Sequence, residues 1–218
     1  MDFAEVKALA RQGEGLHVEF KLKAAHPEKI VRELVAFANT QGGTLLVGVS
    51  DDRQIKGVRF VDEEEYILTK AIQTYCFPAF AYRIRHVPLD DNDERHVLAV
   101  TVPPSPDKPH YVRPEPAATE GKAYVRVADR SIQASKEVRE FLKGERKQRN
   151  IRFGYGEKEK RLMQYLGQHR RITVNQFMEV AAIPRHVASR TLVLLSLARV
   201  LRILPDETQD FFEALENV

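Results

Sequence analysis

The stretch from residue 30 to residue 52 constrains the fold of this chain more than any other. Six apolar side chains recur there at helical spacing: Ile30, Val31, Leu34, Val35, Phe37 and Ala38. Arg32 and Glu33 are assigned to the opposite, polar side. Gly42-Gly43 then ends the helix, because glycine readily adopts positive φ. The continuous apolar run Leu45–Val49 predicts a strand covered on both faces.

Just upstream, residues 14–21 (E-G-L-H-V-E-F-K) alternate apolar and polar side chains with the period of a half-buried strand. Glu14 falls at the start of this strand, Glu19 and Lys21 fall on its polar face, and Asp51 follows the buried strand. Three converging carboxylates could bind Mg²⁺ or Mn²⁺, which prefer oxygen ligands, and Lys21 could hold a phosphate. From composition alone, ordinary surface side chains are the favoured interpretation.

The rest of the first 145 residues mixes helical and extended patterns. Helical spacing recurs at residues 2–12, 62–75 and 133–144, and strand patterns at residues 81–87, 95–102 and 123–127. The mixture indicates an α+β domain. Tyr111, Tyr124 and Arg126 could line a surface that binds a nucleic-acid strand, although alternating aromatic residues are more often sheet packing.

Bulk properties indicate an ordinary soluble protein. The 218 residues carry a net charge of only +3, so the net charge alone does not indicate a polyanionic partner. The single cysteine, Cys76, excludes internal disulfides and is typical of a reducing compartment. The first residues lack the pattern of a signal peptide, and no apolar run approaches the ~20 residues of a membrane helix. We expect a cytoplasmic protein with no membrane contact.

Beyond residue 145 the pattern changes to that of a small second domain. Residues 146–156 are polar and glycine-containing, which predicts a linker. Three helical segments (residues 158–168, 174–181 and 185–198) then precede two short strands (residues 200–204 and 209–212). Three helices followed by a two-stranded wing is the element order of a winged helix-turn-helix domain, here residues 157–218.

The third helix and the wing carry the candidate nucleic-acid contacts. These are Arg185, His186, Ser189, Arg190, Arg199 and Arg202. Residues 184–203 contain no acid, and arginines at the start of a recognition helix suit phosphates and guanine edges. The alternative is a dimerisation or docking module. A protein-interaction adaptor that uses Phe211, Phe212 and the acidic C-terminus is a third possibility.

Several segments resemble the Schlafen AlbA-type domain in order and spacing. They are E-G-L-H-V-E-F-K, A-F-A-N-T-Q-G-G-T-L-L-V-G-V-S-D-D, K-P-H-Y-V and A-Y-V-R-V-A-D-R-S. The resemblance covers roughly residues 1–142, and the A-F-A-N-T-x-G-G segment is its most specific part. The sequence departs from the usual pattern at Ala128, where glycine is usual, and at Ser50, where aspartate is usual.

The resemblance implies a candidate active site. In eukaryotic Schlafen proteins with endoribonuclease activity, two glutamates and an aspartate cut transfer and ribosomal RNA. By motif position these acids fall on Glu14, Glu19 and Asp51, and the basic residue after the second glutamate falls on Lys21. Prokaryotic members are mostly described as DNA-binding or transcription-regulator proteins, and some as ATP-binding. The eukaryotic enzymes use two such lobes, which implies a homodimer here.

Other chemistries lack their motifs in this sequence. There is no G-x-x-x-x-G-K-[ST] loop, so we expect no ATP. No cysteine or histidine pair has zinc-ligand spacing, and no G-x-S-x-G nucleophile elbow occurs.

We therefore predict an α+β chain, with a Schlafen AlbA-like mixed-sheet domain at residues 1–145 and a winged helix at residues 157–218. The predicted function is nucleic-acid binding that is DNA-directed and regulatory. The rivals are an Mg²⁺- or Mn²⁺-dependent endoribonuclease acting on structured RNA such as transfer RNA, and a protein-interaction adaptor. The expected partners are DNA or RNA and a second copy of the chain.

Overall fold

A computed structural model gives the fold and describes residues 1–89, 94–146 and 154–215. The chain divides into two compact units, residues 1–133 and residues 134–218. The helix that ends the predicted first domain therefore packs within the second unit. Most of the predicted linker, residues 147–153, lies outside the described residues.

The first unit is built on a four-stranded mixed sheet. Its helices are α1 (Phe3–Gln12), α2 (Pro27–Asn39) and α3 (Val61–Tyr75). Its strands are β1 (Val18–Lys21), β2 (Gly43–Val47), β3 (Cys76–Phe77), β4 (Arg83–Pro88), β5 (His96–Val102), β6 (Tyr111–Val112), β7 (Tyr124–Val127) and β8 (Arg130–Gln133). The sheet order is β1-β2-β5-β4, with β1 parallel to β2 and the other pairs antiparallel. This arrangement confirms the predicted α+β class.

The predicted helix–turn–strand unit is confirmed by α2 and β2. Gly42 has φ +78°, in the left-handed region that favours glycine. A Cβ added at Gly43 would overlap the ring of Phe37, so the chain turns tightly against its own helix. β2 lies between β1 and β5, and residues 44–47 are buried, as the apolar run predicts.

The two faces of the sheet pack against different helices. Val18 and Phe20 of β1 join a cluster with α1, whereas Leu45 of β2 packs with α2 and α3. Glu19 lies directly opposite Leu45 in the β1–β2 register, so its side chain is on the α2 face. Because α2 covers that face of the sheet, the side chain of Glu19 is buried and not solvated.

The second unit contains four helices and one antiparallel strand pair among its described residues. They are α4 (Lys136–Arg146), α5 (Glu157–Gln168), α6 (Val174–Ala181), α7 (Arg185–Leu197), β9 (Leu201–Leu204) and β10 (Phe211–Ala214). From α5 onward this is the predicted order of elements. Phe212 is fully buried in the core of this unit and also pairs through its backbone with Ile172. Phe212 is thus core, which removes one residue from the adaptor interpretation.

No single helix within the described ranges is long and apolar enough to cross a membrane. Only α6 and α7 taken together have the length and apolar composition of a membrane span, and a bend of 111° separates them.

Candidate nucleic-acid interface and ion-pair centre

The A-F-A-N-T segment ties together three parts of the first unit. The Asn39 amide nitrogen donates to the carbonyl oxygens of His110 and Tyr124, both at 2.9 Å. The Asn39 amide oxygen accepts from the backbone N–H of His110 at 2.7 Å. The Thr40 hydroxyl accepts from the backbone N–H of Arg126 at 3.0 Å. The end of α2 therefore fixes both the K-P-H-Y-V segment and the strand that carries Arg126.

Arg126 lies at the centre of a buried ion-pair network. Its side chain is 0% exposed, and Nη1 lies 2.9 Å from Oε2 of Glu33 and 3.0 Å from Oε2 of Glu19. Its Nη2 donates to the carbonyl oxygen of Gly15 at 2.8 Å. The ammonium of Lys21 pairs with Oε1 of Glu19. We call Glu19, Lys21, Glu33 and Arg126 the ion-pair centre.

Burial governs the electrostatics of this centre. It raises the pKa of the Glu19 carboxyl, and neighbouring Glu33 acts in the same direction, while Lys21 and Arg126 oppose the shift. The Arg126 guanidinium also lies over the ring of Phe37, 5.0 Å from its centroid. The prediction that Arg126 contacts nucleic acid is therefore wrong, because its guanidinium faces α2 and β1 and does not reach solvent.

The three predicted metal ligands are not gathered into one site. Glu14 is exposed, and its Oε1 accepts from the backbone N–H of Phe20 at 2.9 Å. Asp51 is exposed on a loop whose first residues bond to the carbonyl oxygen of Lys21. Within the parts of the chain that the structure describes, no three His, Cys, Asp or Glu side chains are grouped to hold a metal ion. Because cations of the chain itself flank both Glu19 oxygens, this arrangement does not fit Mg²⁺ or Mn²⁺.

Glu33 is the member of the centre that sequence reasoning missed. The prediction that it lies on a solvated face is wrong, since only 5% of the residue is exposed. Glu33 is three residues after Ile30 and four before Phe37, so the helical period places it among the inward-facing side chains. A charged acid at an inward-facing position needs a cation as partner. The position of Glu33 in the helical period therefore indicates that a basic side chain is buried beside it.

The first turn and a half of α7 presents cationic side chains to solvent. Arg185, His186 and Arg190 are exposed, and Arg185 Nη1 lies 2.5 Å from the side-chain oxygen of Asn175. Arg190 forms no ion pair with any acid in the described ranges. Ser189 is buried and donates a hydrogen bond to Glu137 of α4 at 2.7 Å. The prediction that Ser189 contacts nucleic acid is therefore wrong.

The two arginines at and just before β9 differ in their surroundings. Arg202 pairs across the β9–β10 hairpin with Glu213, although 59% of its side chain is exposed. Arg199 has φ +59°, its side chain is 76% exposed, and it lies 3.6 Å from Glu145. Both guanidinium groups reach solvent, and Arg199 is the less constrained of the two.

A groove of about 370 Å³ runs between the start of α5 and the exposed side of α7. Lys158, His186 and Arg190 line it, together with Glu159, which caps the start of α5 by accepting from the Gly156 N–H at 2.9 Å. Lys158 is not among the nucleic-acid contacts predicted from the sequence. In the groove this lysine of α5 lies on the same surface as His186 and Arg190 of α7.

Two further acids are buried where α4 meets the segment that leads into the β9–β10 hairpin. Asp210 accepts a hydrogen bond from the hydroxyl of Ser135, which itself accepts from the Val138 N–H at the start of α4. Glu137 accepts from Ser189 on α7. Burial raises the pKa of Asp210, with Glu137 adding to the shift and Ser135 opposing it. These contacts link α4 with α7 and with the segment that leads into β10.

We expect Asp210 to make the second unit less stable as the pH rises. Its folded pKa lies above the value in the unfolded chain, about 3.9. The contribution is therefore favourable below pH ~4 and is lost as the pH rises through the folded pKa. Relative to Asp210→Asn, the unfolding free energy of the wild type should fall between pH 4 and pH 7, by about 1.4 kcal/mol for every tenfold weakening of the acid on folding. Urea denaturation of both proteins across this range measures the difference, and a constant difference would contradict the prediction.

Of the comparisons with known proteins, the match to a family model covers most of the first unit. The model of the family described as "Schlafen, AlbA_2" matches residues 14–135, which is more than half of the 218 residues. Among curated proteins nothing matches the chain. A crystal structure of the DIP2311 protein from Corynebacterium diphtheriae is similar at 22% identity and a TM-score of 0.42, covering 62% of this chain and only 26% of that protein. On the extent of the family match, the chain belongs to the Schlafen AlbA_2 family.

Proposed function

We propose that this protein binds nucleic acid and that its second unit contacts duplex DNA through the start of α7, in a regulatory role. Family membership suggests nucleic-acid binding. The observation that carries the proposal is the exposure of Arg185, His186 and Arg190 in an acid-free segment, residues 184–203. Cationic side chains at one end of a helix can bind backbone phosphates and contact base edges in the major groove.

The arrangement of elements supports a winged-helix interpretation of the second unit. α5, α6 and α7 share one apolar core, and the β9–β10 hairpin follows directly, with Arg199 and Arg202 exposed. In helix-turn-helix proteins the N-terminal residues of the recognition helix contact base edges. On this interpretation α7 is the recognition helix, and the hairpin is a wing that contacts the phosphate backbone.

The groove beside α7 supplies a place for a phosphate of the same duplex. Lys158 of α5 and His186 and Arg190 of α7 line it, and the Lys158 ammonium also lies 2.7 Å from Oε1 of Glu159. Phosphate contacts fix the register of a protein on DNA without reading its sequence. Lys158 therefore belongs with the positioning contacts and not with base readout.

α4 limits how much of α7 can reach a groove of DNA. Glu137 of α4 covers Ser189, and a Cβ added at Gly144 of α4 would overlap Leu197 near the end of α7. The second half of α7 is therefore covered on the side that faces α4. Base readout would be restricted to Arg185, His186 and Arg190, so phosphate contacts should supply most of the affinity.

The decisive experiment compares wild type with the double variant Arg185→Ala/Arg190→Ala on a 20-base-pair duplex. We expect binding to weaken by about 1–3 kcal/mol for each of the two arginines that reads a base edge. If both arginines bind phosphates instead, the slope of log affinity against log salt should become shallower by roughly 0.9 for each. Fluorescence anisotropy over a range of salt concentrations measures both quantities.

The matched control is Arg83→Ala/Arg85→Ala. It removes the same charge from two exposed positions of strand β4 in the first unit. The control should keep both the affinity and the salt slope. If the α7 variant and the control behave alike, the contact through α7 is wrong, and any binding is a general effect of charge.

The homodimer and the cytoplasmic location stay predictions. Closed twofold dimers are the commonest oligomers, and the two-lobed relatives motivate a dimer built through the first unit. Light scattering on the intact chain at tens of micromolar decides the oligomeric state.

A further inference from the structure

We propose that the guanidinium of Arg126 takes the place of a divalent cation between Glu19 and Glu33, so that the ion-pair centre is neutralised from within and holds no catalytic metal. The residues that suggest a metal-dependent nuclease are present in this chain. The charge of Glu19, the buried one among them, is already compensated by Lys21 and Arg126.

The geometry around Arg126 is that of an oxygen-lined cation site already filled. Nη1 lies 2.9 Å from Glu33 Oε2, 3.0 Å from Glu19 Oε2 and 3.2 Å from the Ser131 hydroxyl oxygen. Nη2 faces the carbonyl oxygens of Gly15 and Val18 at 2.8 Å and 3.3 Å. Carboxylate, hydroxyl and carbonyl oxygens are also the ligands that hard divalent cations prefer. Here a covalently attached cation occupies the same kind of cage.

The carboxylates of the centre are neutralised without a metal. Glu19 and Glu33 face the cations of Lys21 and Arg126, and the partly exposed Arg32 adds a third, with its Nη2 3.1 Å from Glu33 Oε1. A divalent ion added to this set would increase an excess of positive charge in a buried place, which is strongly unfavourable. It could enter only if Arg126 left, and the Arg126 side chain is completely buried.

The backbone also holds Arg126 in place. The N–H of Arg126 donates to the hydroxyl of Thr40, and the guanidinium lies on the ring of Phe37. Both partners belong to the A-F-A-N-T segment at the end of α2. The centre therefore joins β1, α2 and β7, and its role is to fix these elements against each other.

Binding of Mn²⁺ to the intact protein tests this assignment. Titration calorimetry at millimolar Mn²⁺ should give the same result for the wild type and for Glu19→Gln. The wild type should therefore show no Mn²⁺ binding that depends on Glu19. In Arg126→Gln the two carboxylates lose their buried cation, so we expect Mn²⁺ to bind roughly tenfold or more tightly than to wild type. Adding Glu19→Gln to that variant should abolish the gain.

Two results would overturn the proposal. One is a wild-type Mn²⁺ site that disappears in Glu19→Gln. The other is a folded Arg126→Gln protein, checked by circular dichroism, that binds Mn²⁺ no better than wild type. If Arg126→Gln does not fold, the comparison of wild type with Glu19→Gln still decides the question. DNA binding by the second unit is measured separately, so either proposal can fail while the other stands.

Discussion

Replacing Asn39 by alanine is expected to bring the first unit close to unfolding. The change leaves two carbonyl groups, of His110 and Tyr124, and the N–H of His110 without their partner. His110 is completely buried, so water cannot replace the missing bonds there. Each buried group left unpaired costs about 1–3 kcal/mol. The sum is a large part of the roughly 5–15 kcal/mol that stabilises a typical domain.

Hydrogen exchange in increasing urea, resolved by peptide, measures this loss of stability for residues 1–133 separately from the rest. Gln41→Ala is the matched control, since Gln41 is exposed two residues away in the same segment. The control should stay within about 0.5 kcal/mol of wild type. Equal stability of Asn39→Ala and Gln41→Ala would mean that the A-F-A-N-T segment does not hold the unit together.

The local elements around Asn39 could be predicted because their signals are local. An apolar face at helical period, two glycines and an apolar run specify α2, the turn and β2 without knowledge of the rest of the fold. The predicted three helices and hairpin of the second unit likewise appear in order. Their lengths and periods lie within single segments, and such segments are the most predictable part of a sequence.

The environment of the polar side chains could not be predicted in the same way. Period two places Arg126 on one face of its strand, but the period does not say whether another element covers that face. β7 packs on α2, and this pairing between residues far apart in sequence turns a presumed surface arginine into a buried one. The same long-range packing buries Glu19 and Glu33.

The position of α4 shows the same limit in the second unit. Its helical spacing was predicted, but not its partner, since an amphipathic helix can pack on any apolar surface. By its packing α4 belongs with α7 and not with the preceding sheet. This placement removes Ser189 from the surface and confines the proposed DNA contact to the first half of α7.

Replacing Arg126 by methionine is expected to destabilise the first unit by about 3–5 kcal/mol, as is typical when one partner of a buried ion pair is removed. Methionine replaces only the aliphatic stem of the side chain, so Glu19 and Glu33 lose their shared cation and the carbonyl oxygen of Gly15 loses a donor. The exposed Arg83 provides the control: Arg83→Met should change the unfolding free energy by no more than about 0.5 kcal/mol.

The triple variant Arg126→Met/Glu19→Leu/Glu33→Leu separates charge from shape. With both acids gone, no uncompensated buried charge remains, and an apolar replacement of a complete ion-pair network is often neutral or stabilising. We therefore expect the triple variant to recover most of the stability that Arg126→Met loses, with hydrogen exchange of residues 1–133 as the measurement. A triple variant that is less stable than Arg126→Met would show that shape and hydrogen bonds hold this centre together. Recovery would show that its acids and its arginine act as one electrostatic unit, as expected if Arg126 serves as the cation of the site.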